Sequence, residues 1–169
     1  MSKTLLLTSF DTWKPQHRSN SSDDLLDLLG SVPPQWHLLR NLPVDFDLAP
    51  FKVMTALQRI QPQVVVCCGM AETRHQLAIE SNGKYQTTTL HTDLDLPQLI
   101  NGLCTTEISH DAGRFVCNHL YYSVLQFLRH QAWNCSSLFV HVPILTEQNR
   151  AAIVQDFTRL LHRLAQAEV

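Results

Sequence analysis

Gln63-Val64-Val65-Val66-Cys67-Cys68-Gly69 is the most strand-like stretch of this 169-residue chain. β-Branched residues favour the extended conformation, and a glycine is a common signal for the end of a strand. A continuous apolar run of this length is typical of a strand that is buried on both faces, as in sheets covered by helices. The stretch therefore predicts a central strand of an α/β sheet.

Strand and helix patterns alternate on both sides of this stretch. The alternation predicts a mostly parallel open sheet with helices on both faces, a three-layer α/β/α fold, in one domain over residues 1–169. Between the clear elements, residues 76–80 and 83–89 suit a further strand or hairpin, and residues 96–103 suit a short helix. The clear strands are predicted at 3–10, 36–44 and 138–143, and the clear helices at 23–30, 49–60, 115–130 and 148–167.

Two of the predicted helices have clear apolar faces. The helix at 49–60 is predicted to be buried through Phe51, Val53, Met54, Leu57 and Ile60. For the closing helix, the predicted apolar side is formed by Ile153, Val154, Phe157, Leu160, Leu161 and Leu164.

Composition excludes several classes of function. Charged residues make up 17% of the chain, the formal net charge is −2 and the pI is near 6.5. This balance favours neither nucleic acid nor an anionic membrane as a partner, and small or neutral ligands fit it better. The apolar start of the chain is typical of a first strand rather than a signal peptide. Five cysteines without a signal peptide indicate reduced thiols and a cytoplasmic protein.

The spacing of the cysteines disfavours a metal site. Cys67 and Cys68 are adjacent in the predicted strand, so their side chains point to opposite faces of the sheet. Cys117 and His119 are two residues apart, which on a helix separates them by about 200°. We therefore expect no bound metal.

Three residues could form a nucleophilic site. Cys117 lies where a loop becomes a helix, and the free N–H groups and dipole of a helix start lower the pKa of a thiol. His141 ends a predicted strand and could act as the base, and Glu80, at the end of another, could orient the imidazole. In open α/β sheets, sites form at the carboxyl ends of strands, where all three are expected.

Each of these residues also has a purely structural interpretation. A lone cysteine is commonly an inert small hydrophobic side chain. Glu80 could be a solvated carboxylate at a strand end, and His141 a core histidine bonded to a backbone carbonyl. His119 is an alternative base only if the helix starts after it.

Five short motifs carry a resemblance to a known family. Residues 112–119, Ala-Gly-Arg-Phe-Val-Cys-Asn-His, precede two tyrosines and resemble the nucleophile motif of pyroglutamyl peptidase I, the pyrrolidone-carboxylate peptidases. Residues 6–13 resemble the family's opening L-V-T-G-F-x-P-F. Leu42-Pro43-Val44 resembles the family's L-P-V. Gly69-Met70-Ala71-Glu72-Thr73-Arg74 resembles its G-x-A-x-x-R, and Glu80 stands eleven positions after the glycine, as the family's glutamate does. Phe139-Val140-His141-Val142-Pro143 resembles its F-I-H-V-P, and His141 follows Cys117 by 24 positions.

The resemblance implies an α/β/α cysteine peptidase that removes an N-terminal pyroglutamate from peptides without a cofactor. By residue, it implies that Cys117 is the nucleophile, that His141 is the base and then the acid, and that Glu80 orients the histidine. The oxyanion would be held by backbone N–H groups near the helix start.

The same resemblance implies a substrate pocket. Phe10 and Trp13, from the loop after the first strand, would sandwich the flat lactam ring, and Phe115 and Val116 would lie close by. Core packing is an equally good explanation for Phe10.

The sequence departs from the family pattern in four places. Ser9 replaces the glycine of T-G-F, and residues 12–15, Thr-Trp-Lys-Pro, replace P-F-G-G, which gives a bulkier aromatic and a stiffer loop. Asn20-Ser21-Ser22 only loosely matches N-P-S, and no arginine in residues 81–90 replaces the one that follows the family's glutamate. Only 37 positions separate Glu80 from Cys117, fewer than in typical members of the family. The segment that in the family helps to shape the cleft and to pack subunits together is therefore shortened here.

These observations leave two main hypotheses. The first is a cysteine amidohydrolase acting on an N-terminally blocked peptide or a small amide, with altered acyl preference and possible homo-oligomers. The second is a weak or inactive relative that uses the cleft to bind a ligand or a partner protein. A flavodoxin-like or dinucleotide-binding module ranks below both, because the chain has no glycine-rich phosphate loop.

Overall fold

The computed structural model describes residues 2–166 and contains eight strands and five helices in that range. The helices are α1 (Ser21–Leu28), α2 (Leu48–Ile60), α3 (Leu96–Ile100), α4 (Val116–Leu128) and α5 (Arg150–Gln166). The strands are β1 (Leu5–Phe10), β2 (Trp36–Leu42), β3 (Val64–Met70), β4 (Leu77–Glu80), β5 (Asn82–Tyr85), β6 (Thr88–His91), β7 (Thr106–Ser109) and β8 (Ser136–Val142).

Six strands form one sheet in the order β2-β1-β3-β8-β4-β7. β2, β1, β3 and β8 run parallel, as do β4 and β7, and the only antiparallel pair in this sheet joins β4 to β8. β3 lies between β1 and β8, so the prediction of a central strand is confirmed.

Two apolar layers cover the sheet, one on each face. On one face, alternate residues of β1, β3 and β8 pack with side chains of α1, α3 and α5. On the other face, the intervening residues pack with α2 and α4. Cys68 belongs to the first layer and Cys67 to the second, as their adjacent positions in a strand require. The predicted three-layer α/β fold with a mostly parallel sheet is therefore confirmed.

Two details of the predicted elements are wrong. Thr106–Ser109 forms the edge strand β7, which was not predicted because its four residues are too short to show a period. On α2, Phe51 was expected in the core but is 67% exposed, while Val53 and Leu57 are buried. The predicted end of the last helix at Ala167 lies outside the described residues.

The first helix begins earlier than predicted because its cap is formed by Asn20. The Asn20 side chain accepts hydrogen bonds from the backbone N–H of Ser22 at 3.0 Å and from the Ser22 hydroxyl at 2.7 Å. Its amide nitrogen donates to the carbonyl of Asp11 at 3.0 Å. The cap therefore fixes the start of α1 and the loop that follows β1 at the same time.

Between β4 and β7, the chain forms a two-stranded antiparallel hairpin from β5 and β6 that packs on α4. At Gly83, an added Cβ would lie 2.6 Å from the backbone nitrogen of Tyr122, so only glycine allows this approach. Asn118 accepts from the backbone N–H of Lys84 and donates to its carbonyl, both at 2.8 Å. These two bonds hold the hairpin against the start of α4.

No helix within residues 2–166 is long and apolar enough to cross a membrane.

Candidate active site

Cys117 lies in the first turn of α4. The N-cap residue, Phe115, has an extended backbone, and no side chain caps the helix there. The first backbone N–H groups of a helix have no partner within the helix, so this end offers donors to a ligand. Cys117 itself is half-buried.

The thiol of Cys117 packs against β3 at Gly69. A Cβ built on Gly69 would lie 2.5 Å from the Cys117 sulfur and 3.0 Å from the Phe139 ring, so any larger residue would displace the thiol. Sequence reasoning did not single out Gly69 as a site residue, although it begins the G-x-A-x-x-R motif. Its role follows from the close approach of α4 to β3, two elements that are far apart in the chain.

His141 and Glu80 form a buried hydrogen-bonded pair. His141 Nδ1 lies 2.7 Å from Glu80 Oε1. Glu80 is fully buried, and His141 is 7% exposed. A carboxylate can only accept, so the imidazole donates from Nδ1, and this leaves Nε2 free to accept a proton.

The antiparallel pairing of β4 with β8 explains this contact. Ala78 pairs with His141, and Glu80 pairs with Phe139. Residues opposite one another in an antiparallel pair share a face, and so do residues two apart in one strand. Glu80 and His141 are therefore diagonal neighbours on one face. Glu80 lies at the carboxyl end of β4, as expected, but β4 runs opposite to β8, so Glu80 reaches His141 by antiparallel pairing.

The register of β3 and β8 brings the thiol close to this pair. Gly69 is the parallel partner of His141, and Cys117 lies over Gly69. The His141 ring also contacts Phe139, with 5.0 Å between the ring centroids. Cys117, at the start of α4, thus lies over the face of the sheet that carries His141 and Glu80.

The expected lowering of the Cys117 pKa is wrong for the ligand-free site. Burial raises the pKa of the thiol to about 12, and the nearby Glu80 carboxylate acts in the same direction. A hydrogen bond from its own backbone N–H opposes these effects but is outweighed. The physical cause is the loss of hydration, which penalises the thiolate. The resting thiol is therefore protonated at neutral pH.

Arg74 lies beside the carboxylate of Glu80, with 3.7 Å between Nη2 and Oε1. Arg74 also donates to the hydroxyl of Ser109 at 3.0 Å and lies 3.3 Å from Glu107. This residue precedes Glu80, so the missing arginine after Glu80 does not leave the carboxylate without a cation. The signal was present, since Arg74 ends the quoted G-x-A-x-x-R motif.

The four residues predicted to bind the acyl group come together around one small cavity. Phe10, Trp13, Phe115 and Val116 all line it, together with Cys117. Three residues that were not predicted complete the lining: Asn20, Val44 and Met70. Val44 and Met70 lie in motifs that carried the resemblance, whereas Asn20 lies in the segment that only loosely matches the family's N-P-S.

The cavity is small in this structure. Its volume is about 30 Å³, enough for roughly two water molecules. Phe10 is only 2% exposed and packs in the layer that includes α2 and α4, so it is a core residue as well as part of the cavity lining. A flat five-membered ring would require neighbouring side chains to move.

A surface ion cluster holds the loop that carries Trp13. The carboxylate of Glu72 accepts from the Lys14 ammonium, and His17 Nε2 lies 2.9 Å from its other oxygen. Lys14 is the main cause of a lowered pKa at Glu72, followed by His17. The Trp13 and His17 rings are in edge contact at 4.6 Å. The loop after β1 is thereby tied to the loop after β3.

His119 does not meet the condition for an alternative base. α4 begins at Val116, so His119 lies within the helix rather than before it. Its ring contacts Phe46 at 5.4 Å and Tyr85 at 6.1 Å. His119 therefore belongs to a neighbouring aromatic surface.

Comparisons with known proteins relate this chain to one group of peptidases. Residues 87–157, which include Cys117 and His141, match the family model described as pyroglutamyl peptidase. The pyrrolidone-carboxylate peptidase of Brachyspira hyodysenteriae is 23% identical over 85% of this chain and 84% of its own length. That of Gloeobacter violaceus is 31% identical over 63% of this chain and 64% of its own length.

Solved structures share the fold. Pyroglutamyl peptidase I from Bacillus amyloliquefaciens superimposes with a TM-score of 0.83 at 20% identity, over 99% of this chain and 97% of its own. Pyrrolidone carboxyl peptidase from Thermococcus litoralis gives a TM-score of 0.81 at 17% identity, over 96% of this chain and 93% of its own. These likenesses extend over nearly the whole chain and therefore identify the fold.

Proposed function

We propose that this chain, which is similar in sequence and fold to the pyroglutamyl peptidases, is a member of that family of cysteine peptidases and removes an N-terminal pyroglutamyl, or a related small acyl group, from peptides. It would then be a cysteine-type omega-peptidase with Cys117, His141 and Glu80 as its triad. The observation that carries the proposal is the buried hydrogen bond of 2.7 Å between His141 and Glu80, on the sheet face that the Cys117 thiol packs against.

The first step transfers the acyl group to sulfur. His141 Nε2 takes the proton of the Cys117 thiol as the sulfur attacks the carbonyl carbon, which is required because the resting thiol is protonated. The carbonyl oxygen becomes an oxyanion and accepts hydrogen bonds from the uncapped N–H groups at the start of α4. Glu80 stabilises the imidazolium and holds its tautomer.

The following steps release both products. The C–N bond breaks as His141 Nε2 gives its proton to the leaving amine, and a thioester remains on Cys117. His141 then takes a proton from water while the water oxygen attacks the thioester carbon. The C–S bond breaks, the sulfur regains a proton from His141, and the free acid leaves.

The cavity beside Cys117 would receive the acyl group. Phe10 and Trp13 offer flat faces to a planar ring, and Phe115 and Val116 close the cavity next to the thiol. An aromatic lining suits an uncharged lactam better than a charged free amino terminus, since burying a charge without a partner is costly.

A second candidate function follows from the size of the cavity. A volume of about 30 Å³ and a protonated thiol also fit a weak or inactive relative that binds a ligand or partner in the cleft. The two candidates differ in turnover, which can be measured directly.

A turnover assay with chromogenic amides separates these candidates. We expect the wild-type protein to cleave a pyroglutamyl amide faster than alanyl and prolyl amides. Cys117→Ala should lower kcat by at least about 10³-fold, while Cys104→Ala, at an exposed thiol, should keep wild-type turnover.

Two results would contradict the proposal. If the pure wild-type protein cleaves none of the three amides, the binding candidate is favoured. If Cys117→Ala cleaves them as fast as the wild type, the assigned nucleophile is wrong.

A further inference from the structure

A wide groove shares Phe115 with the small cavity. Its volume is about 570 Å³, and its lining includes Phe46, Tyr85 and Phe115. These three aromatic side chains are 45%, 48% and 49% exposed. We call this surface the aromatic groove.

The rings of the aromatic groove form a connected set. Phe46 meets Phe115 edge to face, with 5.9 Å between centroids and 89° between planes. His119 contacts both Phe46 and Tyr85, at 5.4 Å and 6.1 Å. Aromatic rings exposed together in this way commonly mark a binding surface.

The groove also carries an excess of positive charge. Lys84 and Arg114 line it together with a single carboxylate, that of Asp111, at 3.9 Å from the Lys84 ammonium. Among the ion pairs within residues 2–166, none involves Arg114, which is exposed. A ligand with an aromatic side chain and a carboxylate would complement both features.

The groove adjoins the proposed site at Phe115. Phe115 lines the aromatic groove and also the small cavity that contains Cys117. When the acyl group fills that cavity, the carbonyl carbon is at the Cys117 sulfur, and the rest of the substrate must extend outwards. The groove is the space next to Phe115 that can receive it.

We propose that the aromatic groove binds the leaving part of a peptide substrate and selects an aromatic side chain in the first residue after the scissile bond, with a carboxylate held by Arg114. The inference rests on the proposed function and adds a substrate class to it: short acyl peptides with an aromatic second residue and a nearby negative charge. Phe46 and Tyr85 supply the apolar contacts.

Kinetics on a matched substrate series tests the aromatic preference. Pyroglutamyl-Phe-amide and pyroglutamyl-Ala-amide differ only in the side chain that would enter the groove. We expect kcat/KM about 10-fold higher for the phenylalanyl substrate. Phe46→Ala should reduce this ratio to about 1, and Phe51→Ala, at another exposed phenylalanine, should leave the ratio unchanged. Equal kcat/KM for both substrates in the wild type would overturn the inference.

A second series tests Arg114. We expect pyroglutamyl-Phe with a free carboxylate to be preferred to its amide, and Arg114→Gln to abolish this preference. Arg150→Gln, at an exposed arginine of α5, is the matched control. Pyroglutamyl-Phe-Glu-amide compared with pyroglutamyl-Phe-Gln-amide shows whether a side-chain carboxylate can replace the terminal one. An Arg114→Gln variant that keeps both preferences would contradict the role of Arg114.

Binding of the product separates this inference from the proposed function. Titration calorimetry of Cys117→Ala with Phe-Gly and Ser-Gly needs no turnover, and we expect Phe-Gly to bind about 10-fold more tightly. If no amide is cleaved but this difference is found, the proposed reaction fails and the groove stands. Equal binding of the dipeptides overturns the groove. Concentration-dependent dimers that Phe46→Ala dissociates would assign the groove to a second copy of the chain and also overturn it.

Discussion

The three side chains of the proposed triad and the proposed acyl cavity beside them are built in different ways. Glu80 and His141 lie on paired strands of the main sheet, and Cys117 lies in the first turn of a helix that packs on it. The cavity is lined largely from outside these elements, by Trp13 and Val44 in loops and by Phe115 at the helix start. The site therefore combines a fixed reaction centre with an adjustable pocket.

The difference shows where this protein can change its substrate. Moving Glu80 or His141 would require a change in strand register, which also moves every side chain of the strand. The loop that carries Trp13 is tied to Glu72 by Lys14, at the surface, and by the largely buried His17, and ion pairs at the surface contribute little to stability. The departures from the family pattern at residues 12–15 accordingly fall in the pocket and not in the triad.

Among the variants of the reaction centre, loss of the charge on Glu80 should have the largest effect on kcat. Glu80→Gln removes the negative charge that stabilises the His141 imidazolium, and we expect kcat to fall by about 10³-fold. Glu80 Oε2 has no hydrogen-bond partner within the described part of the chain. The neutral side chain also loses the ion pair with Arg74 and buries an amide nitrogen that has no acceptor at the Oε2 position, so we expect a lower melting temperature as well as a lower kcat.

Two further variants separate this role of Glu80 from a structural one. Glu80→Asp keeps the charge with a shorter reach and should recover part of the activity. A Glu80→Gln variant with wild-type kcat would show that the carboxylate does not assist His141. Glu147→Gln, at an exposed carboxylate, is the matched control.

Filling the space at Gly69 is expected to have an intermediate effect. The Cβ of Gly69→Ala would lie 2.5 Å from the Cys117 sulfur, so the thiol must move away from its position over β3. A displacement of about 1 Å costs roughly 100-fold in rate. Kinetics and thermal unfolding should be measured together on the same preparation.

The control for Gly69 is the same substitution where there is room. Gly102→Ala adds a Cβ with nothing within 4 Å, although its backbone φ is +72°. We expect it to lower the melting temperature without affecting turnover. If Gly69→Ala keeps full activity, the thiol does not depend on this packing.

Release of the Trp13 loop should have the smallest effect. Glu72→Gln removes the charge that Lys14 and His17 share, and we expect KM for a pyroglutamyl amide to rise a few-fold with kcat nearly unchanged, because exposed ion pairs are worth at most about 1 kcal/mol. Since the pKa of Glu72 is lowered, wild-type KM should stay constant down to the ordinary range of a glutamate. A fall in kcat instead of a rise in KM would place the loop in the fixed part of the site.

Long periodic segments made much of the fold predictable. The β-branched run of β3 and the apolar face of α5 specify a buried strand and an amphipathic helix by local pattern alone. β7 was missed because it is short, and Phe51 was misplaced because the helix period does not reveal how far the neighbouring layer extends.

The candidate site was predictable in its residues but not in its geometry. Cys117, His141 and Glu80 were identified from motifs and residue type. The contact between Glu80 and His141 depends on the antiparallel pairing of β4, for which no local signal exists. Gly69 and Arg74 stood in a quoted motif, yet their contacts needed the packed structure.

The sequence by itself determined the layer architecture, the position of the cysteine at a helix start and the set of residues in the proposed triad, because these follow from local periodicity and residue chemistry. Only the tertiary structure decided the protonation of the thiol. Burial raises the pKa of Cys117 to about 12, because the loss of hydration outweighs the hydrogen bond from its own backbone N–H. The tertiary structure also decided the partner of His141, because strand register is a property of the assembled sheet.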